Sequence, residues 1–354
     1  MQLHAEITGI KYTPFLCRTL EVFPVDSLGT ALSTRSAFGL NVGMERHVAV
    51  SWWVSAKRTR SYPYARVYDT LAFSGKRVTI IPIIKDEGIE GDRDFLQWDT
   101  ISLMSLLGIY VIIGFYIDAE NSSRYGGKIT NQRFDIGYLR GQIEDVPSYQ
   151  SDALHWNLAQ VDKAGIIATQ AIEAYSKLSE KLSVPMHSKD SANRRISELL
   201  KGKGTFMTLS RELAKKAQAR ESVTIQPKEK LAREKAILTI RNYLGGYYYF
   251  TVDEAWIAGS DLYLAEAKHT MYSKLPSLGD VKDGLLKMIL FSNLKNVQTE
   301  TQEYSPIAVL KLTTATGFSR QQLNSTERNL VDTLKQEAHH NRFKILLNND
   351  FLDT

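Results

Sequence analysis

The sequence predicts a mixed α/β protein: a sheet with helices on its faces in the C-terminal part, and a large β-rich and helical N-terminal part before it. Three observations carry this reading. The last third alternates helical and strand-like segments. Residues 1–120 hold several β-branched and aromatic runs. The 354-residue chain has 43% hydrophobic and 23% charged residues, the balance of a globular protein. A chain of this length can bury a substantial core without disulfide or metal staples. By size it divides into two domains, placed at 1–190 and 191–354.

In the N-terminal part, Ala49–Val54, Val78–Ile84 and Ile109–Ile117 read as strands by their β-branched and aromatic content. Thr100–Ile117 carries no charge and approaches the length of a membrane span. Gly108 splits it, however, into a helix-like half and a β-branched half, so the second half reads as a buried strand. Residues 150–182 and 192–220 carry helical spacing, for example at Ile166, Ile167, Ala171, Ile172 and Tyr175. Val184–Asp190, with Pro185, reads as a linker between them.

The C-terminal part is more sharply punctuated. Pro227 predicts a helix over Lys228–Leu244 with Leu231, Ala232, Ala236, Leu238 and Ile240 as its apolar set, ended by Gly245 and Gly246. A strand over Tyr247–Ile257, a tight turn at Gly259–Ser260 and a strand over Leu262–His269 follow. Ser277 and Asp280 form a capping-box pattern, with Asp in place of Glu or Gln, that opens a helix through Leu294. Ile307–Leu312 reads as a strand, Ser325–His340 as a helix and Phe343–Leu347 as a last strand.

Charge narrows the function. The chain carries +5 overall, yet Arg194–Lys235 alone holds twelve Lys or Arg against five Glu, a local +7. Such a concentration is the footprint expected of a phosphate-backbone binder. Arg194, Arg195, Lys201, Lys203, Lys215 and Lys216 are its candidate DNA contacts. A second candidate surface interleaves Lys57, Arg58, Arg60 and Arg66 with Tyr62, Tyr64 and Tyr68. The acidic segment between Asp86 and Asp99 lacks the spacing of a calcium loop and reads as a solvated loop. The His339–His340 pair has no cysteine partners and reads as a helix end. A phosphate-binding loop of the GxxxxGKS type is absent, which gives no support to a nucleotide cofactor. Cys17 is the single cysteine. With no leader pattern at the start, the expected setting is reducing and cytoplasmic, with no membrane association.

The chemistry concentrates in the hairpin from Thr251 to Lys268. With Gly259–Ser260 as a two-residue loop, opposed residues have numbers summing to 519, so Asp253 faces Glu266 and Thr251 faces Lys268. Opposed Cβ atoms lie about 4.5–5.5 Å apart, close enough for two carboxylates to share one cation. Lys268, two residues beyond Glu266, projects from the same face. Two acids and an amine at one point suit metal-assisted hydrolysis, since Mg²⁺ takes a few carboxylate oxygens and keeps several waters. Asp261 has the wrong parity and lies roughly 16 Å along the strand from Glu266, so it reads as a turn residue. Glu254 has the wrong parity as well. The competing reading of the same residues is a cross-strand salt bridge.

Asp253 followed thirteen residues later by Glu266-Ala267-Lys268, in a hairpin between two helices, resembles the PD-(D/E)XK nucleases. The likeness runs over Lys228–Leu294 and is narrower still with type II restriction endonucleases. Val252 stands where the family name has proline. The resemblance implies that Asp253 and Glu266 bind Mg²⁺ and that Lys268 is catalytic. It also implies a further acid from the preceding helix, for which Glu234 is the candidate. On this reading residues 191–354 form the catalytic domain, while 1–190 supplies DNA recognition and dimerisation. The protein would then be a prokaryotic, homodimeric, sequence-specific endonuclease acting on double-stranded DNA. The alternatives are a repair or recombination nuclease of the same fold, and a non-catalytic DNA-binding protein.

Overall fold

The computed structural model describes residues 1–43, 46–57, 63–200, 234–242, 247–315, 318–319, 321 and 323–352. It is a mixed α/β chain of two compact units: one joins Met1–Arg18 to Glu212–Thr354, and the other is Thr19–Arg211. The sequence places a single boundary at 190/191. The first eighteen residues instead belong with the C-terminal unit, because strand β1 (Gln2–Ile7) pairs in parallel with a strand that begins at residue 234.

The unit over 19–211 is built on β2 (Val22–Pro24), α1 (Leu28–Thr34), β3 (Ala37–Asn41), β4 (His47–Trp52), α2 (Pro63–Tyr68) and β5 (Lys76–Pro82). β6 (Ile84–Asp86), β7 (Arg93–Phe95), α3 (Trp98–Leu106), β8 (Ile109–Gly114), β9 (Tyr116–Asn121) and β10 (Ile129–Phe134) follow. Helices α4 (Ile136–Asp145), α5 (Ala153–Asp162), α6 (Ala164–Leu182) and α7 (Lys189–Leu200) complete it. β2, β3, β4, β5 and β8 form one sheet in that order, parallel except between β3 and β4. Every residue of β8 is buried, as the uncharged run predicts for an interior parallel strand. Among the described residues no helix is long and apolar enough to cross a membrane.

Two expectations for this unit need correction. Val184–Asp190 is not all linker, since α7 starts at Lys189. The acidic segment is only partly a solvated loop: Glu90 and Asp92 are exposed, but Asp86 and Glu87 are buried. Each has found counter-charges. Glu87 pairs with Lys85 and Lys128, both at 2.8 Å, and Asp86 has Arg93 Nη1 at 4.0 Å, with His187 Nδ1 2.7 Å from its other oxygen. Buried carboxylates persist when such partners replace water.

The other unit continues from β1 with β11 (Glu234–Asn242), β12 (Tyr247–Ala258) and β13 (Asp261–His269). Then come α8 (Leu278–Phe291), β14 (Lys295–Gln298), β15 (Glu303–Thr313), α9 (Ser325–Asn341), β16 (Lys344–Leu347) and β17 (Asp350–Phe351). The predicted helix over 228–244 is corrected: within it, 234–242 is a strand, and 228–233 and 243–244 lie outside the described residues. Burial alternates there, with Ala236, Leu238 and Ile240 fully buried and Lys235, Ile237 and Thr239 between them half-buried. The apolar set was therefore a period of two, read as a helical one.

β11, β12 and β13 form an antiparallel meander, and β15 and β16 add in parallel beyond β13. β1 pairs with β11 on one side and with β14 on the other, and β14 pairs with β15. Six strands thus close a circuit of pairing, β13–β12–β11–β1–β14–β15 and back to β13. Helix α8 packs on β13 and β15, with Val281, Leu285, Leu286 and Met288–Phe291 buried. Its capping box is formed: Asp280 N–H donates to Ser277 Oγ at 3.2 Å, and Ser277 N–H to Asp280 Oδ2 at 3.2 Å.

Candidate active site

The hairpin that carries the acids is set by its turn. Gly259 takes φ +65°, the conformation that the first central residue of a type II′ hairpin requires and that Cβ-bearing residues resist. The register that follows pairs Ala258 with Asp261 and runs on to Glu254 with Ala265, the sum of 519 expected from the sequence. There the pairing stops. On its other edge β12 pairs Val252 with Ala236 and Ala255 with Glu234, so β12 advances three residues while β11 advances two. The extra residue is a bulge spanning Asp253 and Glu254. Bulges re-aim side chains, and here the Asp253 carboxylate turns onto β13, accepting from Ala267 N–H at 2.8 Å. It stands in for the backbone acceptor that a regular ladder would offer.

Glu266 is 2% exposed and lies on the face of β13 that α8 covers. Lys268, two residues on, places Nζ 3.0 Å from Glu266 Oε1. The helix adds two charged groups that the sequence reading missed. Asp283 Oδ2 accepts from Lys268 Nζ at 2.7 Å, and Lys287 Nζ donates to Glu266 Oε2 at 2.6 Å. Spaced by four, Asp283 and Lys287 project from one face of α8. Both are half-buried in a helix whose other residues beyond Asp280 are buried. Gly284 lets the helix come this near, since a Cβ there would lie 2.6 Å from Leu310 Cδ1 and 3.3 Å from Lys268 Cε. Charged residues inside an otherwise apolar helix were the available signal, and the sequence reading did not take it up.

The electrostatics follow from this crowding. Burial and the neighbouring Glu266 charge together push the Asp253 carboxyl up to about 7. Burial acts to raise Glu266 too, but the ammonium groups of Lys287 and Lys268 outweigh it and hold this carboxyl down at about 2. Burial alone would lower Lys268. Its contacts with Glu266 and Asp283 overcome that and hold its pKa well above the ordinary lysine range. Lys287 is raised likewise by Glu266 and Asp253, against its own desolvation. Three carboxylates and two ammonium groups share this place, so the cluster is one positive charge short of neutrality when all are ionised. Among the described residues no three His, Cys, Asp or Glu side chains converge as a metal-holding group. Asp253 and Glu266 are the two carboxylates that interact directly here, a pair that suits a cation retaining several waters.

At the rim, the segment after β13 exposes Met271 and Tyr272, with Lys274 Nζ 5.1 Å from the Tyr272 ring centre. Glu234 does not join the cluster. It lies exposed on β11 and accepts from the Met1 amino group at 3.1 Å.

The candidate DNA contacts lie elsewhere. Lys57 is exposed after β4, and Arg194 is exposed on α7. Arg66 is half-buried in α2, its guanidinium 4.3 Å over the Trp52 ring and donating to Trp52 O at 2.9 Å. That arginine is engaged within its own unit. Arg195 lies in α7, its side chain undescribed, and Arg58, Arg60, Lys201, Lys203, Lys215 and Lys216 fall outside the described residues.

Compared with protein-family models, curated proteins and solved structures, the chain finds no match.

Proposed function

We propose that the protein is a metal-dependent nuclease that hydrolyses phosphodiester bonds of double-stranded DNA. The observation that carries the reading is the meeting of Asp253, Glu266 and Lys268 on one bulged hairpin under α8. The order of meander, helix and parallel strand, β11–β12–β13–α8–β15, supports the PD-(D/E)XK assignment, although β11 stands where the sequence suggested a helix.

The donor set fits Mg²⁺. Asp253 and Glu266 are two hard oxygen ligands in mutual contact, and burial together with the Glu266 charge lifts the Asp253 carboxyl to about 7, a cost that a bound cation would relieve. They would hold the ion, which supplies polarisation of a phosphate oxygen and a more acidic bound water. Lys268 has a firmly protonated ammonium held between Glu266 and Asp283. This favours its role as a donor to charge developing on the phosphate, rather than as a base. Asp283 fixes where that donor points. Local desolvation around Glu266 strengthens each of these interactions.

As substrate class we propose sites in duplex DNA read in the manner of a type II restriction endonuclease. A palindromic target would call for a symmetric homodimer. This part rests on the family resemblance and on the basic Arg194–Lys235 segment. A second reading has a specific observation behind it: both oxygens of Glu266 are already taken by lysines, as they would be in a purely structural ion cluster.

Incubation with phage DNA in Mg²⁺ or EDTA separates the readings, run beside folded Glu266→Gln and Lys268→Ala variants. Discrete fragments from wild type in Mg²⁺ are expected, with losses of roughly a hundredfold or more for each variant. A smear would point to a repair or recombination enzyme of lower specificity. Intact DNA in every lane, with DNA still bound, would replace the nuclease by a binding protein.

A further inference from the structure

We propose that the Lys287 ammonium is an internal cation occupying part of the metal position at Asp253 and Glu266, displaced outward when a divalent ion enters. The proposal rests on the metal-dependent reading above and adds the residue that regulates metal entry.

Glu266 has one ammonium at each oxygen, Lys268 at 3.0 Å and Lys287 at 2.6 Å. An ion ligated by Glu266 must take over at least one of these positions. The two lysines are held unequally. Lys268 is bound by Glu266 and by Asp283 at 2.7 Å, and its stem runs beneath Gly284. Lys287 makes its ion pair with Glu266 and meets Asp253 only through charge. Exposure does not separate the two, at 16% for Lys287 and 17% for Lys268; the difference is the second hold that Asp283 has on Lys268. Charge balance requires that one of the two lysines leave, and the second hold on Lys268 makes Lys287 the one. Asp253, Glu266 and Asp283, all ionised, are neutralised by Lys268 together with one divalent ion. With Lys287 still in place the cluster would hold a surplus positive charge, and like charges a few ångströms apart in a desolvated site repel strongly. The displaced ammonium would then stand at the mouth of the site, where a phosphate group approaches.

The test measures Mn²⁺ binding to the full chain without DNA, by electron paramagnetic resonance of the free ion. Wild type, Lys287→Met, Lys287→Arg and Glu266→Gln are compared. Lys287→Met should bind Mn²⁺ about tenfold tighter or more, within the usual range of coupling between two sites. Lys287→Arg should match wild type or bind more weakly, and Glu266→Gln should lose binding. Equal or weaker binding by Lys287→Met, with binding still dependent on Glu266, would overturn the internal cation and leave the metal site standing. No Mn²⁺ binding by either wild type or Lys287→Met would overturn the metal reading, and the inference with it. Should Lys287→Met fail to fold, wild type gives the answer through amine acetylation read by mass spectrometry. Lys287 should become more reactive on adding Mn²⁺, and unchanged reactivity with Mn²⁺ bound would refute its displacement.

Discussion

Asp253 and Glu254 are neighbours on β12 and meet opposite fates. Glu254 is 1% exposed and pairs with Lys311, 3% exposed, from β15. On that face Ala265, Val309 and Leu346 form a buried apolar cluster. Asp253 belongs to the bulge and joins Glu266, Lys268, Asp283 and Lys287 beneath α8. The first is a sealed pair of opposite charges. The second is a cluster with an acid to spare, solvent access at Lys268, Asp283 and Lys287, and one carboxyl that titrates at about 7. One hairpin thus carries buried charge of two kinds. Stability accounts for the sealed pair, whereas the surplus acid calls for a chemical reason.

The largest effect should come from breaking the sealed pair. Lys311→Met leaves Glu254 without its ammonium in an apolar setting and should cost about 3–5 kcal/mol in urea unfolding. Adding Glu254→Leu should restore most of that. A loss under 1 kcal/mol would mean that this pair is no more structural than the cluster, and the contrast would fall.

A smaller effect tests the packing that brings α8 onto the cluster. Gly284→Ala sets a methyl group against Leu310 and Lys268 and should destabilise by about 1–3 kcal/mol. If the proposed nuclease reading holds, it should also weaken DNA cleavage more than its stability loss explains, because Lys268 is displaced. Full activity in folded Gly284→Ala protein would separate Lys268 from the chemistry.

The smallest effect is in pH dependence. Asp253 keeps its proton up to about 7 when folded, whereas an ordinary aspartate loses it near 3.8. Between these values the folded chain holds a proton that the unfolded chain has released, so this group's contribution to stability falls as pH rises to 7. Glu266 acts the other way: its stabilisation is present above its usual 4.5 and is lost as pH falls towards 2. In EDTA, Asp253→Asn should therefore melt above wild type at pH 8, by a smaller margin at pH 5, and alongside it only below about pH 3.8. Equal melting throughout would remove the strain assigned to the two adjacent carboxylates.

The parts of the unit that were legible in the sequence are those set by local rules. Gly259–Ser260 marked the turn, the alternation after Tyr247 marked the strands, and Ser277 with Asp280 marked the helix start. The register from Ala258–Asp261 to Glu254–Ala265 followed from loop length alone, but it stops one step short of the opposition expected between Asp253 and Glu266. What stayed hidden depended on distant partners. The apolar set Ala236, Leu238 and Ile240 fits a helix until β1 and β12 are known to flank it. The bulge at Asp253 depends on the mismatch with β11, which no local pattern carries. Asp283 and Lys287 gain meaning only once α8 lies on β13.

The circuit of strands also has a consequence for how the molecule is made. β1 ends at residue 7, but its neighbours β11 and β14 begin at residues 234 and 295 and are made after it. At about 5–20 residues per second, roughly 10–50 s of synthesis separate β1 from β11. In that interval the unit over 19–211 can already fold. β1 waits with a buried face still uncovered, and the hairpin of Asp253 and Glu266 comes only after it. The unit over 19–211 is thus complete in sequence before the site at Asp253 and Glu266 is made, a delay written into the order of the strands.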